Sequence, residues 1–253
     1  MIEMKVYKIT DFVKTDIPKY DLFDYEKNGP VIDYPIDDCF YVSEYENELL
    51  IEIKPYLYSD EYKLEVPGGV LIGIDRGEFI GGLFYFPGGE YKEFVEEYGI
   101  FSAPSILHDN VRALFKHGDR FFALSGLCHL GSDRGDMWEI VFEDGTYTAK
   151  HLISLEGCHE AYTIVADTIF VSTREKILQI DLNLGRVERK IRKPNIYACT
   201  HKASSPNKGF TKWQSMGVMS VVVISWEEIY LGLRGGLLKI NLLNEAMTFY
   251  RKK

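Results

Sequence analysis

A sixteen-residue pattern recurs in this chain. Thr168–Asn183 reads TIFVSTREKILQIDLN, and Glu228–Leu243, sixty positions on, reads EIYLGLRGGLLKINLL without a gap. Ile169 and Ile229, Arg174 and Arg234, Leu178 and Leu238, Ile180 and Ile240, and Leu182 and Leu242 are identical pairs. Each copy is a β-rich run, a short polar or glycine-bearing turn and a second run, which is the pattern of a hairpin. A repeat of this kind constrains the fold more than composition does, because one hairpin cannot hide both of its faces and must be covered by its neighbours.

Two weaker copies lie upstream. Val70–Ile74 matches Ile229–Leu233, and Leu83–Phe86 resumes the pattern; Phe121–Ser125 followed by Met137–Val141 is the next. A further strand is expected on either side of these hairpins. Val111–Lys116, Ala161–Val165 and Val218–Ile224 precede them; Tyr91–Val95, Thr146–Leu152, Arg186–Ile191 and Ala246–Tyr250 follow. The unit is four antiparallel strands in ~45–60 residues, the size of a propeller blade. The expected fold is therefore all-β, a β-propeller of four-stranded antiparallel blades, five in number. It forms a single domain over residues 1–253, with four blades from residue 59 onward and a degenerate blade or closure in 1–58. In that first part Lys5–Ile9, Cys39–Val42 and Leu49–Ile53 look like strands, the first placed to complete the C-terminal blade, around a loop-rich 16–38. Only Glu93–Tyr98 hints at a short helical turn.

Labelling the strands of a blade A to D, the A–B and C–D turns share one end and the B–C and D–A connections the other. The first group reads as uniformly tight: His117–Asp119, Ala166-Asp167 and Trp226-Glu227, then Pro87–Gly89, Glu143–Gly145, Asn183–Gly185 and Asn244-Glu245. The second group carries the length: Asp75–Gly82, Gly126–Asp136, Tyr98–Asp109, Leu155–Glu160 and Lys193–Gly217. Long loops on a rigid scaffold carry function, so a single rim is the expected site. Its candidate binding residues are Asp75, Arg76, Glu78, His129, Asp133, Arg134 and Asp136, with Arg174 and Arg234 in the following blades. Arginine among carboxylates suits recognition of an acidic group through paired contacts; the same charges can instead pair with one another or cap loop amides. The stretch 193–217 holds Lys193, Lys202, Lys208 and Lys212 and no acidic residue, and reads as a solvated insertion in preference to a contact for an acidic partner.

Composition excludes some roles. A formal charge of -9 lacks the basic footprint of a nucleic-acid binder and opposes anionic lipid. No signal peptide or membrane-length apolar run is evident. The expectation is a cytoplasmic monomer with reduced Cys39, Cys128, Cys158 and Cys199. The pairs Cys128-His129 and Cys158-His159 have zinc-ligand chemistry but lack a C-x-x-C hairpin, so no metal and no cofactor are expected. Nucleophile-elbow, phosphate-loop and EF-hand patterns do not occur.

The blades resemble β-propeller repeats of the WD40 and quinoprotein-like kind, through IYLGLRGGLLKINL and IFVSTREKILQIDL. The chain also looks like uncharacterised bacterial cytoplasmic propeller proteins, through GIDRGEFIGGLFYF, FFALSGLCHL and IYLGLRGGLLKI. Ile180-Asp181 and Ile240-Asn241 stand where WD40 blades end in Trp-Asp, so scaffold roles transfer weakly. Quinone-cofactor propellers have more blades than this length supplies. The expected function is non-catalytic: binding a protein or small polar ligand at the B–C and D–A rim, in a regulatory or immunity-type role by analogy. The alternative is a hydrolase or lyase on a sugar-like substrate, using Asp75, Glu78, Asp133 or Asp136 with His129.

Overall fold

The computed structural model describes residues 6–15, 38–55, 59–77, 81–88, 91, 99, 103–129, 132–193, 197–202, 211–215 and 217–253, with backbone alone at Asp38, His129, 197–202 and 211–215. The architecture is all-β. In chain order, β1 (Val6–Tyr7), β2 (Phe12–Thr15), β3 (Asp38–Tyr45) and β4 (Glu48–Pro55) are followed by β5 (Glu61–Val66), β6 (Gly69–Asp75), β7 (Gly81–Pro87) and β8 (Ser105–Leu107). A second meander is β9 (Val111–His117), β10 (Arg120–His129), β11 (Ser132–Glu143) and β12 (Thr146–Ser154). The third is β13 (His159–Val165), β14 (Thr168–Thr173), β15 (Lys176–Asp181) and β16 (Arg186–Arg192). Then come β17 (Tyr197–Lys202), β18 (Thr211–Ser215) and a fourth meander, β19 (Val218–Ser225), β20 (Glu228–Leu233), β21 (Gly236–Asn241) and β22 (Met247–Lys252).

Each meander is one antiparallel sheet with its strands in sequence order. The expected repeat is exact in the backbone: β14–β15 and β20–β21 begin and end at residues sixty apart. Hairpin chemistry explains the registers. Tyr45 faces Glu48 across Glu46 and Asn47, at φ 52° and 64°, and Glu143 faces Thr146 across Asp144 and Gly145, at φ 53° and 81°. Two central residues at positive φ give the turn whose twist matches the flanking strands, and Asn, Asp and Gly accept that backbone most readily.

The chain divides into two compact units, Tyr58–His159 with Ile180–Arg189, and Met1–Leu57 with Glu160–Gln179 and Lys190–Lys253. In the first, the sheets β5–β8 and β9–β12 enclose Leu71, Leu83, Val111, Ala123, Ile140 and Tyr147. A second layer packs Tyr91 and Ala103 onto Ile72, Ile74, Phe84 and Phe86. In the other unit, Ile229, Leu231, Leu238, Ile240 and Phe249 pack with Phe170 and Ile177, while Leu237, Tyr230 and Tyr250 pack with Phe12, Phe40 and Ile51.

Several expectations are corrected. The fourth strand of the first meander is Ser105–Leu107, not Tyr91–Val95; Tyr91 is outside any strand, and 92–95 lie outside the described residues, as does the proposed turn over 93–98. Pro87–Gly89 is therefore no tight turn but the start of a connection running to Ser105, and the 98–109 loop shrinks to the few residues between Leu107 and Val111. That long connection leaves β7 at the same end of its sheet as the β5–β6 turn, the end where only tight turns were expected. Gly126–Asp136 is not a loop either, because Leu127, Cys128 and His129 pair with Arg134, Asp133 and Ser132 as a prolonged hairpin. The lysine-rich insertion contains a two-stranded ladder, β17 on β18. The strand that extends the C-terminal sheet is Phe12–Thr15, paired with β22, whereas Val6–Tyr7 joins β4 and β3 in a three-stranded sheet. Among the described residues no helix is long and apolar enough to cross a membrane.

Candidate functional site

The polar chemistry of the first unit converges where β9 begins. Arg112 lies between the rungs Ala113↔Leu124 and Val111↔Ser125, where the ladder slips by one residue. It is the unopposed residue of a β-bulge, and bulges re-aim the side chain they carry. Its Nε bonds the carboxylate of Asp75 at 2.9 Å. Its Nη1 donates to Cys158 Sγ at 2.8 Å and to the His159 carbonyl at 3.1 Å. Burial works against the guanidinium charge, yet the adjacent Cys158 and Asp75 hold its pKa above the usual value.

Next to this lies a second ion pair. Arg134 on β11 grips Asp109 through two parallel bonds, Nη1 to Oδ2 at 2.8 Å and Nη2 to Oδ1 at 2.9 Å. The Asp109 side chain is 6% exposed and that of Arg134 52%, so the pair spans from interior to solvent. Asp109 Oδ2 also accepts from Ser125 Oγ, which in turn accepts from Trp138 Nε1, both at 2.9 Å. A buried carboxylate is thus supplied with donors from two strands, which is how its desolvation is offset.

Backbone contact ties the two pairs together. Asp133 Oδ1 accepts the Cys158 N–H at 2.7 Å, and the Asn110 carbonyl accepts the Gly126 N–H at 2.9 Å. Gly135 stands directly under Cys158: a Cβ there would meet the Gly157 carbonyl oxygen at 2.4 Å and Cys158 Cα at 3.2 Å. Two buried polar atoms, Asn110 Oδ1 and His159 Nδ1, have no hydrogen-bond partner. Burial, and then the charge of Arg112, press the His159 pKa down to about 3, so the ring is neutral. Burial also pushes the Cys158 thiol up to about 11, against the pull of Arg112.

Of the residues singled out by sequence, Asp75, Asp133 and Arg134 belong to this cluster. Asp136, two residues along β11 from Arg134 and electrostatically coupled to it, accepts from Ser154 Oγ at 2.8 Å and lies 3.0 Å from His151 Nε2. Arg76, just past the end of β6, bonds Asp60 at 2.6 Å, both side chains being exposed. Arg174 and Arg234 sit in the other unit, each in the short connection between its paired strands; Arg234 makes an isolated bridge to Cys39. Glu78 and the side chain of His129 lie outside the described residues. The residues that sequence reasoning missed are Asp109, Arg112, Ser125 and Trp138. Arg112 alone carried a signal, a single charge inside the apolar run Val111–Phe115.

The described carboxylates Asp75, Asp109, Asp133 and Asp136 are each engaged by an N–H or O–H donor rather than facing one another across a gap. Among the described residues no group of three or more His, Cys, Asp or Glu could hold a metal ion. What the arrangement offers to solvent is the outer edge of the Arg134 guanidinium with Asp133 and Cys128 on the same hairpin. Neither a family model nor a curated protein matches this chain.

Proposed function

We propose that the protein is a non-catalytic binding module, its meander sheets arranged as the blades of a small β-propeller, and that the prolonged β10–β11 hairpin receives a carboxylate of a partner protein or small ligand. The observation that supports this reading is the Arg134–Asp109 pair. A half-exposed guanidinium is fixed by two bonds to the buried Asp109, which use two of its five N–H donors. An arginine held in advance loses little side-chain entropy on binding, and the fork of donors fits a carboxylate. A regulatory or immunity-type role would use the same face. Against hydrolase or lyase chemistry stands the engagement of every described carboxylate named above, which leaves none placed as a free acid or base.

The test is a quantitative pull-down from the native cell with the wild type, Arg134→Ala and, as a control on an exposed residue of another sheet, Arg186→Ala. A partner lost with Arg134→Ala and retained with Arg186→Ala supports the reading. Equal recovery with all three removes the hairpin from consideration.

A further inference from the structure

Two cysteines, Cys128 and Cys158, border this hairpin, and no feature of the binding reading uses them. Cys128 is exposed on β10, and Cys158 is buried just before β13. Alternation along a strand puts Cys128 on the same face as Gly126, and a Cβ built on Gly126 meets Cys158 Sγ at 3.2 Å. Asp133, the residue paired with Cys128 across the ladder, accepts the Cys158 N–H at 2.7 Å and so draws the Cys158 backbone toward that rung. The thiolates, if formed, repel one another, and Arg112 Nη1 lies 2.8 Å from Cys158 Sγ. Cys128 is one two-residue step, about 7 Å, along β10 from the Gly126 position that Cys158 Sγ borders, and a disulfide requires the two Cα atoms to come within ~4.4–6.8 Å. Closure then needs side-chain rotation and a small shift of the hairpin end.

We propose that Cys128 and Cys158 form a redox-reactive thiol pair that a hydroperoxide converts reversibly into a disulfide. The exposed Cys128 reacts first. Its thiolate attacks a peroxide oxygen, the S–O bond forms, the O–O bond breaks, and the departing hydroxide takes up a proton. Cys158 sulfur then attacks the sulfenic sulfur of Cys128; the S–S bond forms, the S–O bond breaks, and hydroxide leaves with the Cys158 proton as water. Two thiols give up two electrons and two protons, and hydrogen peroxide becomes two waters. Arg112 serves the second step by favouring the Cys158 thiolate. Once the bond forms, Arg112 loses its sulfur partner and keeps Asp75.

The experiment treats the full, reduced chain with equimolar hydrogen peroxide and maps its peptides by mass spectrometry without reduction. The expected result is a Cys128–Cys158 cross-linked peptide in place of both free thiols, reversed by dithiothreitol. In Cys158→Ser, Cys128 should stop at the sulfenic acid, and dimedone labelling there should rise from trace to stoichiometric. The proposal is overturned if Cys128 remains a thiol, if it proceeds to the sulfinic acid in the wild type while Cys158 stays free, or if it links to Cys39, Cys199 or a second chain. Should Cys158→Ser fail to fold, the wild-type map still decides.

Discussion

His159 makes the protein sensitive to mild acid in a way that can be calculated. Its ring is 3% exposed, Nδ1 has no partner, and its pKa falls from 6.5 to about 3 on folding. In the unfolded chain the imidazole takes up a proton as pH drops through 6.5, while the folded chain resists until about pH 3. The unfolded state therefore binds more protons throughout that window. Stability contributed by the neutral ring is intact above 6.5 and is lost progressively below it. At about pH 5 the gap is 1.5 pH units at ~1.36 kcal/mol each, or about 2 kcal/mol relative to about pH 7.5. The comparison chain is His159→Gln, which keeps a polar side chain of similar reach and cannot titrate. Urea unfolding followed by tryptophan fluorescence at both pH values gives the two differences. Every other titrating group is common to both chains, so the wild type should lose about 2 kcal/mol more than the variant. Equal losses would show that His159 is not held neutral by its surroundings and would refute the reasoning.

Three further outcomes follow from the packing. A double-mutant cycle on Arg134→Ala and Asp109→Asn should return a coupling of ~1–2 kcal/mol in urea unfolding, reduced from a buried pair's value because Arg134 is half exposed. Gly135→Ala forces its Cβ onto the Gly157 carbonyl and should destabilise by roughly 2–3 kcal/mol in the same assay, since backbone must move to admit it. Phe12→Ala removes a ring that packs edge-on against Phe40 with centroids 5.9 Å apart, and should lower stability by about 3 kcal/mol, showing that the N-terminal strand is part of the last sheet's core.

The hairpins were legible because their signals are local. Alternation, two-residue turns and the sixty-residue recurrence all act within a few positions, and β14–β15 and β20–β21 appear where the pattern puts them. The fourth strand of the first meander was not legible for a physical reason. Ser105–Leu107 has three residues, too few for a periodic pattern, and its pairing is fixed by Leu83 and Phe84 across the ladder. Tyr91 imitates a strand residue because it is apolar enough to be buried, but it is buried by packing on Phe86, with ring centroids 5.1 Å apart. The loop Gly126–Asp136 misled in the opposite direction: Gly126 and Gly135 read as turn residues, yet they are a facing pair in the ladder, without side chains because Cys158 and Gly157 lie against them. The candidate site was half visible. Asp75, Asp133 and Arg134 announced themselves as charges near glycines, but their partners Arg112, Cys158 and Asp109 are distant in sequence and ordinary in pattern.

The bulge at Arg112 shows how a repeated scaffold acquires one chemical site. The same slip recurs in the last meander, where Met219 lies between the rungs Val218↔Leu233 and Ser220↔Gly232. Both ladders therefore release one residue of their first strand from pairing at the equivalent place. A bulged residue escapes the strict alternation that would otherwise assign it to a packed face, so its identity is not dictated by the core. In one sheet that freedom is taken by a methionine. In the other it holds a guanidinium between Asp75 and Cys158, with Asp109 and Arg134 paired beside it. The backbone device is common to the two meanders, whereas the guanidinium and the partners it gathers are found only at the β9–β12 one among these two.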